Sequence, residues 1–408
     1  MTSLGLTNVY VRGFRSIREA EFRPGRVSAL IGEPSAGKSN LLAAIRALLD
    51  PESAPLTAGD LASGDGGQIR IVGTLSDGST IAVEGGTDGA ADAVGIARPS
   101  VLYLPATLRS GRVVAPSLPM APEVRRAGEL LGQAIPGLAP VAGLEGSAET
   151  GAAEAARGLV GGIESCRAAG LSGMVVLIEE PELFLPPQTQ RFLYRLLRQL
   201  AGQGNQVLYS THSPAFLNVA RLDELVFTER PPEVGTQLLQ PEALPADEEF
   251  RAASEFDAAR SELFLSRAAV LVEGLTELLA LPFVFEAMGY DPDRERISIV
   301  ECGGKANVLL IARISRTVGI PFLAVHDRDA DANEEPSGAE RELNRLIAET
   351  AGEDRRVELA PDFEGVAGLR GHRHKPARAW RSFRSMGRED IPEALARLVE
   401  RAVALARR

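Results

Sequence analysis

Cysteine is scarce: only Cys166 and Cys302 occur in 408 residues, far apart and without metal-ligand spacing. That argues against a disulfide framework and fits a reducing cytoplasm. The N-terminal residues lack a basic start followed by an apolar core, so no signal peptide is expected. Long hydrophobic runs are missing too, since even Met174–Ile178 stops at Glu179, well short of a membrane span. A soluble cytoplasmic protein with no membrane partner is the expectation.

Positive charge is also short, with a formal net charge of −11. Read globally, this cuts against a nucleic-acid partner, but its distribution does not. From Leu369 to Arg408 ten arginines and one lysine face four acids. A basic C-terminal segment beside an acidic body can contact phosphates, or it can be a solvated helix face. No zinc-ligand cluster accompanies the acids, which disfavours a primase. Of the five tyrosines, Tyr10, Tyr103, Tyr194 and Tyr209 fall in predicted core elements and Tyr290 in a turn. A topoisomerase, which needs a tyrosine nucleophile, is therefore disfavoured.

What is present reads as a two-part α/β protein. The length allows two or three domains, and 45% hydrophobic with 24% charged residues is ordinary for a globular chain. Strands are predicted at Val9–Val11, Glu19–Phe22 and Val27–Ile31, then a helix over about Lys38–Leu49. Gln68–Leu75 and Thr80–Val83 alternate around Asp77-Gly78, a hairpin signal. Gly85 to Ala97 reads as a loop, Ser100–Leu104 as a strand, and Ala115 to Gly173 as helices and loops. Strand Met174–Glu179, helix Gln188–Leu200, and strands Gln206–Ser210 and Glu224–Thr228 follow. The Pro/Glu-rich stretch Glu229–Glu249 reads as a connector. Beyond it, strands Ala269–Val272, Ile297–Val300 and Phe322–Val325 alternate with helices Thr276–Ala287 and Asn307–Val318, the pattern of a parallel sheet.

Gly32-Glu-Pro-Ser35-Ala36-Gly37-Lys38-Ser39 matches the P-loop pattern, followed by Asn40. Its glycines let backbone N–H groups wrap phosphates at a helix N-terminus. Lys38 is placed to reach the terminal phosphates, and the Ser39 hydroxyl to ligate magnesium. The apolar strand ending in Glu179-Glu180-Pro-Glu delivers two carboxylates to the sheet's carboxyl edge. Glu179 is the candidate for holding the magnesium shell and Glu180 for orienting the attacking water. His212, in Ser-Thr-His-Ser-Pro at the next strand end, is a candidate γ-phosphate sensor. ATP is thus the expected cofactor, with magnesium or manganese.

The second region carries acids at successive strand ends. Glu273-Gly-Leu-Thr-Glu277 places two carboxylates one helical turn apart. Glu301-Cys-Gly303-Gly304-Lys305 ends the next strand. Asp327-Arg-Asp329-Ala-Asp331 ends the third, with alternate acids facing one way if the strand continues. Glu364 follows. Oxygen-only ligands suit magnesium or manganese rather than zinc. Two such ions about 4 Å apart activate water and stabilise a leaving oxygen in phosphodiester cleavage.

These motifs, taken in order, carry a resemblance. The P-loop, Ile-Glu-Glu-Pro-Glu and Ser-Thr-His-Ser-Pro resemble ABC-type ATPases of the RecF and SMC kind, as does the opening Val-Arg-Gly-Phe-Arg-Ser-Ile. In that family nucleotide is sandwiched between two heads with a signature serine. Ser147 is the best candidate here, but Gly146-Ser-Ala-Glu departs from Leu-Ser-Gly-Gly, and no Q-loop glutamine is evident. The glutamate after the first strand and Asp-x-Asp after the third are similar to the Toprim fold. The whole resembles the OLD (overcoming lysogenisation defect) family of ATP-dependent endonucleases, which includes the nuclease subunit of the Gabija phage-defence system.

The resemblance implies an ABC-type ATPase domain at 1–240 (helical about 115–173), a connector at 241–265, a Toprim domain at 266–385 and a basic C-terminal helix at 386–408. It implies Glu273, Glu277, Asp327 and Asp329 as metal ligands, with Glu364 a second-metal ligand. It also implies Lys375 as a stabiliser of phosphate charge, with His374 and Arg373 weaker candidates. DNA is the implied substrate, with dimerisation through the ATPase heads and a helicase or other defence protein as partner. About 135 residues separate Ser39 from Met174, so the family's dimerisation insert is short or absent. Two alternatives stay open: an ATP-gated DNA-binding or repair ATPase with an inactive Toprim-like domain, and an RNA-cleaving Toprim enzyme.

Overall fold

Alternating burial in the first strand, with Val9 and Val11 inward, gives an antiparallel sheet one buried face. The computed structural model describes residues 4–62, 67–86, 89–92, 97–106, 122–135, 152–330, 334–369 and 374–407. The chain divides into two units, Met1–Ala243 and Leu244–Arg408.

In the first unit, β1 (Leu6–Phe14) and β2 (Ile17–Phe22) form a hairpin. The strand β3 (Val27–Ile31) is buried throughout and leads through the glycine-rich turn to α1 (Lys38–Leu49). The predicted hairpin follows: β4 (Gln68–Leu75) and β5 (Thr80–Gly86) pair around Gly78, whose φ of 85° suits the turn. The expected loop from Gly85 to Ala97 instead begins as strand. β5 runs to Gly86, and β6 (Gly89–Asp92) pairs back on it with Gly85 opposite Ala90. A backbone ladder needs no apolar alternation, which is why composition concealed it. The antiparallel order is β2-β1-β4-β5-β6.

Next come β7 (Ser100–Leu104), helices α2 (Pro122–Ala134) and α3 (Ala152–Ala168), β8 (Met174–Glu179), α4 (Pro187–Gly202), β9 (Gln206–Ser210) and β10 (Leu225–Glu229). The stretch read as a connector contains another strand, β11 (Gln237–Leu239), antiparallel to β10. Gly235, at φ 84°, turns the chain back toward the sheet. The second sheet runs β11-β10-β3-β9-β8-β7, parallel except for β11. The core lies between the sheets, where Leu41, Leu42, Ile45 and Leu48 of α1 meet Val9, Val11 and Ile71 on one side and Leu30, Val175, Leu177 and Leu208 on the other. Fully burying each such side chain is worth about 1.5–3 kcal/mol.

The second unit opens with α5 (Ala246–Glu255) and α6 (Ala258–Ser261). Strand β12 (Ala268–Val272) and helix α7 (Leu275–Ala287) then precede β13 (Ile297–Glu301), α8 (Lys305–Thr317) and β14 (Phe322–Asp327). Helix α9 (Gly338–Ala351), β15 (Arg356–Leu359), α10 (Phe363–Val366), α11 (Lys375–Phe383) and α12 (Glu393–Ala406) complete it. All neighbouring strands are parallel, in the order β13-β12-β14-β15. Strand–helix alternation therefore produced the expected parallel sheet.

The C-terminal helix is less available to phosphates than its composition suggests. Leu395, Leu398, Val399 and Ala402 of α12 sit in the core with Val270, Phe285 and Leu323. Its arginines have protein partners: Arg397 pairs with Glu393, and Arg407 with Glu295 at 2.6 Å. Arg401 donates to the carbonyls of Arg356 and Glu353 at 2.9 and 2.8 Å.

Candidate functional sites on two sheet edges

The P-loop is shaped by positions that tolerate no side chain. Gly32 has φ 152°, and a Cβ there lies 2.1 Å from the Thr228 carbonyl oxygen. Gly37 has φ 110°, and a Cβ lies 2.1 Å from Thr236 Oγ1. Ser35 also takes a left-handed φ of 65°, and Ala36 N donates to Glu33 O at 3.1 Å. Lys38 Nζ donates to the carbonyls of Gly32 and Glu33 at 2.8 and 2.9 Å. Burial pulls the Lys38 pKa down to about 8, against the opposing pull of Glu180, Glu182 and Glu33. Ser39 is exposed beside it, and Asn40 Nδ2 donates to Ser16 Oγ at 2.6 Å.

A brace that the sequence did not reveal holds this loop. Thr236 is fully buried in the stretch read as connector. Its hydroxyl donates to Ala36 O at 3.0 Å and lies 2.8 Å from Ser16 Oγ. Its N–H donates to Ser16 O. Nothing in the local pattern of a lone threonine marks such a contact across 200 residues of chain.

The acids on the neighbouring strands are likewise tethered. Glu179 accepts from Tyr103 Oη at 3.0 Å and from Ala106 N at 3.1 Å. Burial, then the Glu179 charge, pushes the Tyr103 hydroxyl pKa up. Glu180 takes a left-handed φ of 43°, and its N–H donates to Ser210 O at 3.0 Å. His212 stands two residues beyond β9, its N–H donating at 2.6 Å to Glu182 Oε1. Glu182 is buried, and burial raises its pKa. Residues 32–40, 179, 180 and 212 thus share the carboxyl edge of one sheet. Ser147 lies outside the described residues.

In the second unit, the adjacent parallel strands β12 and β14 deliver acids to one edge. Glu273 follows β12, and its Oε1 accepts from Asp327 N at 2.8 Å. Asp327 ends β14, and its Oδ1 accepts from Phe363 N at 2.8 Å. Burial, then Glu273 and Glu277, raise the Asp327 pKa to about 8. Glu277, in the first turn of α7, is 6% exposed, and burial, then Glu273 and Glu364, lift it to about 7. Glu273 is raised as well, chiefly by burial.

Asp329 departs from the conditional expectation of a continuing strand. The strand ends at Asp327, and Asp329 takes φ 58°, its N–H donating to Pro361 O at 2.9 Å. Its carboxylate pairs with Lys305, which also pairs with Glu340 at 2.8 Å. Burial opposes the Lys305 charge, but Asp329 and Glu340 outweigh it and hold the pKa up. Lys305 and Glu340 were not assigned roles from sequence; the Gly303-Gly304-Lys305 turn was the available signal. Glu301 stands apart, paired with Arg260 at 3.1 Å. Glu364 is buried and pairs with Lys375 at 3.2 Å. Burial opposes the charge of Lys375 too, and Glu364 keeps its pKa raised. His374 is exposed at the start of α11, while Arg373 and Asp331 lie outside the described residues.

Among the described residues no three His, Cys, Asp or Glu side chains are already arranged to hold a metal ion. The donor set nonetheless suits one. Glu273, Glu277, Asp327 and Glu364 supply only oxygens, and burial, with the neighbouring acids, raises the pKa values of Glu277 and Asp327. A divalent cation bound there would offset the charge of these carboxylates.

A P-loop head built on a parallel sheet with an antiparallel sheet beside it, followed by a parallel sheet edged with acids, has the fold of an ABC-type ATPase head followed by a Toprim domain. Comparison with known proteins narrows the class. Residues 264–329 match the model of the overcoming lysogenization defect protein-like TOPRIM domain. Residues 163–218 match an AAA domain model described as a putative AbiEii toxin of a type IV toxin–antitoxin system. The OLD nuclease of Thermus scotoductus is 36% identical over 262 residues, covering 59% of this chain and 50% of that protein. The Old nuclease of Escherichia phage P2 is 27% identical over 169 residues, covering 40% of this chain and 29% of that one. A solved SMC head domain from Thermotoga maritima is 17% identical, with a TM-score of 0.36, over 58% of this chain and 99% of its own. Over these regions the chain is similar to OLD nucleases and to OLD-like Toprim domains. It spans half the length of the Thermus relative and less of the phage one.

Proposed function

We propose that the protein cleaves DNA phosphodiester bonds at the acidic edge of its second unit, under control of the nucleotide state of the P-loop. The observation that carries this reading is the convergence of Glu273, Glu277, Asp327 and Glu364 from separate elements: burial, then Glu273 and Glu364, raise the Glu277 pKa, and burial, then Glu273 and Glu277, raise that of Asp327. When bound there, magnesium or manganese supplies an activated water and charge stabilisation for the leaving oxygen. Glu273 and Asp327 are the central ligands, with Glu277 and Asp329 beside them and Glu364 serving a second ion. Lys305 positions Asp329, and Lys375 balances charge developing on the phosphate.

In the first unit Lys38 and the P-loop N–H groups hold the ATP phosphates, with Ser39 and Glu179 toward its magnesium. Glu180 orients water, and His212 reads the terminal phosphate. The heads pair with each other, and Phe184, 59% exposed just beyond Glu182, offers an apolar contact for a second head. Action in phage defence, with a helicase or other defence protein, follows from the family resemblance alone, whereas the cytoplasmic expectation rests on the scarcity of cysteine.

A second reading, an ATP-gated DNA-binding ATPase with idle acids, draws on the lysines already paired with Asp329 and Glu364. Supercoiled plasmid incubated with Mg²⁺ or Mn²⁺, with and without ATP, separates the two. Nicked or linear product from the wild type, lost in Asp327→Ala, supports the nuclease. Plasmid left intact under every condition supports the idle-acid reading. An RNA substrate run in parallel decides between the sugars.

A further inference from the structure

Helix α11 turns Ala379 and Phe383 inward, with the Phe383 ring 6.0 Å from Phe363. Helical spacing then leaves Ala377, Trp380, Arg381 and Arg384 along one outward stripe. Trp380 is the only tryptophan in the chain and is 39% exposed. One side of its indole is fixed by Phe283 of α7, edge-to-face at 6.4 Å. The Arg384 guanidinium lies 5.0 Å from its centroid. A large aromatic ring is thus held in a defined place, partly in solvent, with Arg384 over it and exposed Arg381 next along the helix.

The position of this stripe matters as much as its composition. Lys375, the first residue of α11, pairs with Glu364 at 3.2 Å, and Glu364 in turn acts on Glu277. Trp380 is five residues further on, about 7.5 Å of helix rise, or roughly two nucleotides at stacked spacing. An unpaired base has a π-face free to stack on an indole, and its phosphates can meet Arg381 and Arg384. A duplex keeps its base faces buried in its own stack.

We infer that α11 is a stacking platform for single-stranded DNA, with Trp380 holding a base and Arg381 and Arg384 the backbone, beside the acidic edge. This rests on the nuclease reading above and names the form of substrate that the edge receives.

The single tryptophan makes its own reporter. Protein in EDTA, where no cleavage occurs, is titrated with oligothymidylate and with a blunt duplex of equal length while tryptophan emission is followed. Saturable quenching by oligothymidylate and little by the duplex is the expected result. Trp380→Ala weakens binding of a labelled oligothymidylate about tenfold, and Trp380→Phe restores most of it. Arg381→Ala/Arg384→Ala keeps the reporter and lowers the salt dependence of log affinity by about 1.4, for two lost phosphate contacts on a single strand. Thermal melts of each variant exclude unfolding as the cause. Oligothymidylate that binds without altering emission, or a duplex that quenches equally, overturns the platform. A wild type that cuts plasmid while Trp380→Ala binds and cuts single strands unchanged also overturns it, and leaves the nuclease standing. Quenching as expected from a protein that cuts nothing keeps the platform and removes the nuclease.

Discussion

The two sheet edges solve opposite problems. The P-loop edge is shaped by backbone: Gly32 and Gly37 hold positive φ, and Lys38 sits among carbonyls and the acids Glu180 and Glu182. The edge of the second unit is shaped by buried side-chain charge: burial first, and neighbouring acids second, raise the pKa values of Glu273, Glu277 and Asp327. An anion site needs N–H groups aimed outward, which conformation alone supplies. A cation site needs carboxylates held close, at an energetic cost that a bound cation offsets. Damage to the first is therefore steric and local, whereas damage to the second depends on pH and on metal.

The largest expected effect tests that contrast at the acids. Asp327→Ala lowers divalent-cation affinity by more than about 100-fold, since even outer-shell changes at metal sites cost 10–100-fold. ATP affinity in the same variant stays at the wild-type value; calorimetric titration of both ligands checks this. Next comes the steric arm. Gly37→Val, which drives a side chain into Thr236 at a left-handed φ, abolishes ATP binding and lowers stability by several kcal/mol, on the order of 3. Urea unfolding with and without ATP measures both, while Mn²⁺ binding to whatever fraction remains folded is unchanged.

A smaller effect separates the edges by pH. In the metal-free protein Asp327 and Glu277 titrate near 8 and 7, above their unfolded values of 3.8 and 4.5. Between those limits the folded state binds more protons than the unfolded one, so these groups make stability fall as pH rises from about 4 to about 8. Mn²⁺ requires the ionised forms, so its thermal stabilisation is larger at pH 8 than at pH 6. Equal melting shifts at the two pH values contradict the assignment. The smallest expected effect is at the brace. Thr236→Val removes hydrogen bonds to Ala36 O and Ser16 Oγ and costs about 1–2 kcal/mol, with a modest weakening of ATP binding.

How far the sequence foretold this depends on whether a feature is local. β3, α1, β4, β8 and β9 have the boundaries expected of them, because each carries its own apolar pattern and turn signal. The P-loop is legible for the same reason: its glycines and its lysine are contiguous. The strand ends bearing Glu273 and Asp327 were legible because alternation predicts a parallel sheet, and a parallel sheet gathers its carboxyl ends on one edge. What was hidden is contact between distant segments. Thr236 bracing Ala36, Tyr103 holding Glu179, and Glu340 sharing Lys305 with Asp329 leave no mark in any short window. The extension of β5 into β6 escaped because Gly and Ala pair through backbone alone. The left turn at Asp329 ended the anticipated alternation, since a single positive φ redirects a side chain without altering composition.

The most direct test of the account is a Mn²⁺ titration of the nucleotide-free protein at pH 8, followed by electron paramagnetic resonance of the free ion. Saturable binding in the wild type and in Lys38→Ala, lost in Asp327→Asn and in Glu273→Gln, is the predicted result. Binding that survives both carboxylate changes, or a wild type that takes up no Mn²⁺, contradicts the claim that these acids converge to hold a cation.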